Sequence, residues 1–186
     1  MGGLNLLVSS SPWVSGRARR EIMTRLLALG DEAPDAGVIL TRGIRAVGTS
    51  LDPRQVVAEL RALCVRSPGR FRFTWRWVPV DLWTGADLES IKQGVASLRG
   101  KIRRGETWRM TIEKRAPDQV DARETIVALA ALIDAKVDLN HPDRILLVDI
   151  FGDRVALAVL APSEVFSVLK AREAAARGAT PGGPAS

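Results

Sequence analysis

One cysteine and one histidine among 186 residues leave little room for covalent or metal chemistry. The lone Cys64 rules out an internal disulfide and a cysteine metal cluster, and its place on the apolar side of an expected helix reads as a small buried side chain. His141 stands beside Pro142 in what reads as a turn, so a Ser/His/Asp triad has no well-placed base. Neither GxGxxG nor GxSxG occurs. Gly94 and Gly100-Lys101-Ile102 imitate a phosphate loop only superficially, because the glycine spacing is one too long and no Ser or Thr follows the lysine to meet magnesium. Asp138, Asp143, Asp149 and Asp153 are oxygen ligands by type, but acids at turns and strand ends usually cap or face water, so no metal and no other cofactor is expected. No run approaches the roughly 18 to 20 apolar residues of a membrane helix. Met1-Gly2-Gly3 also opens without the basic-then-apolar pattern of a signal peptide, so the expected location is cytoplasmic with no membrane partner.

What is present is positive charge in one place. The formal net charge is +6, and residues 66–115 carry 12 Lys/Arg against 5 Asp/Glu, more positive than the whole chain. Residues 1–65 carry 8 against 6, and residues 116–186 carry 7 against 10. A localised basic segment is the electrostatic footprint of a polyanion partner, although a solvated charged surface has the same composition.

Within that segment, Lys101-Ile102-Arg103-Arg104-Gly105 forms a basic turn feeding a strand that ends in Glu113-Lys114-Arg115. Trp108, Met110 and Ile112 alternate with Arg109, Thr111 and Glu113, the period-two signature of a half-buried strand. About nine residues of strand span roughly 30 Å, so the two basic ends cannot share one phosphate but can follow several along a backbone.

Residues 4–8 read as a first strand, and Ser15 as the cap of a helix whose Ala18, Ile22, Leu26 and Leu29 share a face. Residues 31–37 form a connection, and residues 38–40 and 44–47 a hairpin about Arg42-Gly43. Asp52-Pro53 starts a second helix with Val56, Val57, Leu60, Leu63 and Cys64 buried. Residues 70–80 are the clearest strand, with Phe71, Phe73, Trp75 and Trp77 on one face and Arg72, Thr74 and Arg76 on the other. The aromatic row is either core or a stacking platform for bases, core being the commoner use. Strand, helix, strand, strand, helix, strand is the split βαβ order of a ferredoxin-like domain.

After a break at residues 79–85, a helix from about Asp87 carries Leu88, Ile91, Val95, Leu98 and Ile102 at helical spacing. Asp121 and Glu124 are placed for a capping box. Residues 145–151 and 155–160 are continuously apolar strands joined by Gly152-Asp153, so both are expected to be central and covered. Residues 163–177 are helix-like.

Taken in order, Pro79-Val80-Asp81, the amphipathic helix, Gly105-Glu106-Thr107-Trp108-Arg109 through Glu113-Lys114-Arg115, Val137-Asp138-Leu139-Asn140-His141-Pro142-Asp143 and the final hairpin resemble the THUMP domain. The resemblance covers about residues 81–161, and the first half looks like the ferredoxin-like domain that accompanies it. The expected fold is therefore α+β: an N-terminal ferredoxin-like domain over residues 1–80, a THUMP domain (an α/β sandwich with a mixed sheet) over 81–161, a C-terminal helix over 162–177 and a disordered tail over 178–186.

The resemblance implies tRNA binding around the acceptor stem and 3′ end, on behalf of a tRNA-modifying activity. With no catalytic domain following Leu160, the chain is most similar to stand-alone THUMP proteins that assist an acetyltransferase in forming N4-acetylcytidine. The expectation is a non-catalytic adaptor whose partners are tRNA and a separate tRNA-modifying enzyme, the acidic final third being where that enzyme would dock. Lys114 and Arg115 match the family's strand-end basic positions, and Lys101, Arg103 and Arg104 its basic approach less tightly. Charge and strand parity add Arg72, Arg76, Arg109 and Lys136. The competing readings are a tRNA-modification enzyme in its own right and a protein-interaction module with a basic face.

Overall fold

In the computed structural model, residues 3–115 and 122–178 are described. The chain begins with β1 (Leu4–Ser10), α1 (Ser15–Ala28), β2 (Asp35–Thr41), β3 (Ile44–Gly48), α2 (Pro53–Arg66) and β4 (Thr74–Pro79). These strands form an antiparallel sheet in the order β4-β1-β3-β2, the expected ferredoxin-like topology. Then follow β5 (Leu82–Gly85), α3 (Leu88–Leu98), β6 (Thr107–Lys114), α4 (Ala122–Ala130), β7 (Lys136–Val137), β8 (Arg144–Phe151) and β9 (Arg154–Leu160). They build a second sheet, β5-β9-β8-β6-β7, which is mixed because β6 runs parallel to β7 and β8 while β9 is antiparallel to both β8 and β5.

Strand alternation explains how the sheets stack. Leu6, Val8, Val47 and Trp77 face Ile22 and Leu26 of α1 and Val56, Val57 and Leu60 of α2. The intervening Leu7, Ala46 and Val78 point the other way, onto Leu147, Ala156, Ala158 and Leu160 of the second sheet. That sheet's far face, including Leu146, Val148, Leu157 and Val159, packs on Ile91, Val95 and Leu98 of α3 and Leu129 of α4. The layers therefore run helix, sheet, sheet, helix. β8 and β9 are covered on both faces, which is why they read as unbroken apolar runs. The turn between them is Gly152-Asp153, with Phe151 opposite Arg154 and Gly152 at φ +62°.

Four expectations are corrected. Ser15 does not cap α1; a 3-10 turn, Pro12–Val14, precedes the helix, and the Ser15 hydroxyl accepts from Arg45 at 3.4 Å. β4 starts only at Thr74, after a 3-10 turn at Pro68–Arg70, and a register shift opposite Ser9 and Ser10 rotates Trp75 out of the aromatic row. Trp77 is fully buried whereas Trp75 is 53% exposed. The break at residues 79–85 contains β5, whose apolar signal is short. Residues 163–177 are not one helix: a 3-10 turn, Pro162–Glu164, leads into β10 (Phe166–Ser167), which pairs with β4, and only then into α5 (Val168–Gly178). Phe166 is buried edge-on against Phe71, with ring centroids 5.3 Å apart, so the segment after β9 completes the first core.

Asp52 caps α2 as expected, its Oδ1 accepting from Arg54 N at 2.7 Å. Gly94 is mid-helix in α3, where a Cβ would come within 2.5 Å of Leu157 Cδ1; it serves close packing on the sheet. Asp121 of the expected capping box, and all of the tail expected over 178–186 except Gly178, lie outside the described residues. No helix among the described residues is long and apolar enough to cross a membrane.

Candidate nucleic-acid interface

The two sheets are joined at Val80 and Asp81. Val80 N donates to the Asn5 carbonyl and Asp81 N to the Leu157 carbonyl, both at 2.9 Å, so one dipeptide stitches β1 to β9. The Asp81 side chain is 4% exposed and accepts from Lys101 Nζ at 2.7 Å, Arg54 Nη2 at 2.8 Å and Val159 N at 2.9 Å. Burial alone would raise its pKa; the bonds from Lys101, Val159 and Arg54 outweigh that and hold it below the usual carboxylate range. Arg54, from α2, also donates to the Val159 carbonyl and pairs with Glu164. This lock fixes how one sheet lies on the other.

β6 has the parity that the sequence predicts. Trp108 is buried against α3 and α4, with Met110 and Ile112 beside it, and Trp108 Nε1 donates to the Ala135 carbonyl at 3.1 Å. The segment after β7 anchors the strand's start: Asp143 accepts from both the N–H and the hydroxyl of Thr107, and Asp138 accepts from the N–H groups of Asn140 and His141. Asp138 and Asp143 are thus used in shaping turns, and both carboxyls are held below their ordinary range by these backbone bonds. His141 is exposed.

The opposite face of β6 looks onto a cleft with the edge of the first sheet. One cavity there, about 390 Å³, is lined by Arg61, Arg76, Arg109, Thr111, Ser167 and Lys170. Its neighbour, about 320 Å³, is lined by Ser9, Arg42, Trp75, Arg76, Arg115 and Asp149. Arg76 on β4 contributes to both and donates no side-chain hydrogen bond to a described residue. Arg109 Nη1 donates to the Leu139 carbonyl at 3.2 Å, leaving its buried Nε without a partner among the described residues. Arg61 is tied to the carbonyls of Ser163 and Val165.

Among the described residues, Asp149 is the one acid lining the second cavity. Its Oδ1 lies 3.2 Å from Arg115 Nε, and Arg115 also reaches Glu113 at 3.7 Å. Burial pushes the Asp149 carboxyl above its ordinary range, and the charges of Arg115 and Arg76 offset that only in part.

The nine residues singled out from the sequence therefore separate into groups. Arg76, Arg109 and Arg115 meet around the inter-sheet cleft. Lys114, just before Arg115, and Arg104 and Lys136, toward the other end of β6, are exposed. Lys101 is paired with Asp81, and Arg103 lies with it beside Arg54 and Arg144 in a separate basic hollow of about 400 Å³. There Glu106 accepts both a bidentate pair of bonds from Arg144 and the Arg103 N–H, which lower its pKa to about 2. Arg72 faces elsewhere, with Arg17, Arg20, Arg25 and Arg70 beside α1. Sequence reasoning passed over Arg42, Asp149 and Lys170 as parts of the cleft, and weighed Trp75 only within the aromatic row. Arg42 sits at the tip of the β2–β3 hairpin and Lys170 beyond the final strand, so only the tertiary fold brings them together.

The fold is the α+β pair, a ferredoxin-like unit followed by a mixed-sheet α/β unit, that the THUMP resemblance implies. A Pyrococcus horikoshii protein superposes with a TM-score of 0.62 at 14% identity, over 84% of this chain and 54% of its own length. A 4-thiouridine synthetase, solved in complex with RNA and bound ATP, gives 0.56 at 16% identity, over 88% of this chain and 42% of that one. TrmN from Thermus thermophilus gives 0.52 at 12% identity, over 83% and 44%. At such identities the likeness establishes the fold, and the chain spans only about half the length of these structures. No protein-family model and no curated protein matches the sequence.

Proposed function

We propose that this protein is an RNA-binding adaptor of the THUMP type. It holds folded tRNA along the inter-sheet cleft and β6, and offers it to a separate tRNA-modifying enzyme, for which the resemblance points to a cytidine N4-acetyltransferase. The observation that carries the reading is the convergence of Arg76, Arg109 and Arg115, from two different sheets, on one cleft whose central arginine donates no side-chain hydrogen bond to a described residue. Guanidinium groups in that setting suit phosphates, which they grip with paired N–H donors. Exposed Arg104 and Lys136 add positive charge near the start of β6 and exposed Lys114 at its end, Lys114 on the α3 and α4 side by strand alternation, and the wide shallow groove of an RNA helix is read through such backbone contacts.

The test is binding of the whole chain to folded tRNA, to the same tRNA without its 3′ end, and to an RNA duplex of similar charge, across a salt series. The adaptor reading expects intact tRNA to bind tightest, with a log–log salt slope of several units. It also expects no modification of tRNA by the purified chain alone. Equal binding of all three, or binding of none, contradicts it, and turnover without a second protein favours an enzyme instead.

A further inference from the structure

Phosphate recognition accounts for the arginines of the cleft but not for Asp149, a carboxylate that repels phosphate. Its side chain is 7% exposed, Oδ1 is engaged by Arg115, and Oδ2 accepts nothing from the described residues. Oδ2 retains access to the cavity that the side chain lines. That cavity, about 320 Å³, lies at the lower end of the range for small-ligand pockets, about 300 to 1,000 Å³, and holds one nucleoside rather than a helix. The half-exposed indole of Trp75 forms part of its wall, and no aromatic partner covers it. Arg42 lies at the rim, its guanidinium 5.2 Å from the exposed Trp13 ring.

An aromatic face, one acceptor with a free lone pair and flanking cations are complementary to one nucleotide with an amino-bearing base. We propose that this cavity takes a single unpaired nucleotide whose base carries an exocyclic amino group, the amine donating to Asp149 Oδ2 and the ring stacking on Trp75. The proposal rests on the RNA-binding reading above and adds selectivity to it. A carboxylate accepts from the cytosine N4 or adenine N6 amine, whereas uracil presents a carbonyl oxygen at the corresponding position and leaves both groups unpaired. Stacking on Trp75 is indifferent to the base and supplies affinity alone. Arg76 and Arg115 hold the flanking phosphates, so the salt dependence belongs to them and the base preference to Asp149.

The test compares penta-cytidylate with penta-uridylate, two pyrimidine strands of equal charge, as competitors for labelled folded tRNA bound to the whole chain. The expected result is that penta-cytidylate competes about tenfold better or more, the usual discrimination of one charge-assisted hydrogen bond. In Asp149→Asn, whose amide also donates, the two should compete within about twofold at an unchanged salt slope. In Trp75→Ala both should weaken by a similar factor with the preference retained. The wild-type comparison needs no variant to fold. Equal competition by the two pentamers while tRNA binds normally overturns the pocket and leaves the adaptor reading standing, as does a preference that survives Asp149→Asn. Loss of tRNA binding itself overturns both.

Discussion

Arg115 and Asp149 form a half-buried ion pair, Nε to Oδ1 3.2 Å, between residues that follow and occupy adjacent parallel strands. The contact separates two neighbours that the sequence treats as equivalent. Lys114 is exposed at the end of β6, whereas Arg115 neutralises a buried carboxylate.

Replacing Lys114 by alanine should therefore leave stability within about 0.5 kcal/mol. Arg115→Ala should lower it by about 1–3 kcal/mol, because Asp149 loses its partner, and uptake of a proton by that carboxyl limits the loss. Urea midpoints of the two single variants read the difference. Equal midpoints would mean that the pair contributes nothing. Both variants should bind tRNA more weakly, each flattening the salt slope by somewhat under one unit.

Asp81 fastens the two sheets. Asp81→Ala should cost about 3 kcal/mol, the low end for breaking a buried charge pair, since Lys101 and Arg54 stay partly solvated. The same change should weaken tRNA binding although Asp81 lies outside the cleft, because the arginines that meet there come from different sheets. A variant of unchanged stability would remove Asp81 from this role.

Acid should act on the basic hollow. Glu106 has its pKa lowered to about 2 from an unfolded value of 4.5 by Arg144 and the Arg103 N–H. A depressed carboxyl contributes stability above its unfolded pKa and loses it as the folded state is forced to protonate, so that contribution should fade between about pH 4.5 and 2. Denaturant midpoints of the wild type and Glu106→Gln should converge across this window. A difference independent of pH would contradict the assignment.

The parts of this architecture legible in the sequence are those governed by local period. The alternation of β6 and the capped start of α2 are examples, as is the two-residue turn at Gly152-Asp153. Trp75 was unreadable because a bulge against β1 reverses its side, and a period-two count carries no record of a register shift. β10 has only two paired residues, and its existence depends on an edge of β4 formed some ninety positions earlier. For the cleft, charge and parity pick out Arg76 and Arg109. Asp149 looks like one acid within an apolar strand, and nothing local places Arg42 or Lys170 beside it. The order of the first six elements was legible in the same way, since each carries its own amphipathic pattern or turn signal.

Two arginines of one strand region distinguish RNA binding by the inter-sheet cleft from binding by diffuse charge. Arg76→Ala and Arg72→Ala remove the same charge, one inside the cleft and one on the α1 side. The measurement is the affinity of each variant for folded tRNA over a salt series, with folding checked by the denaturation midpoint. Arg76→Ala should weaken binding and flatten the salt slope by somewhat under one unit, while Arg72→Ala should do markedly less. Equal losses in the two variants would contradict it and return the basic surface to a generic polyanion patch.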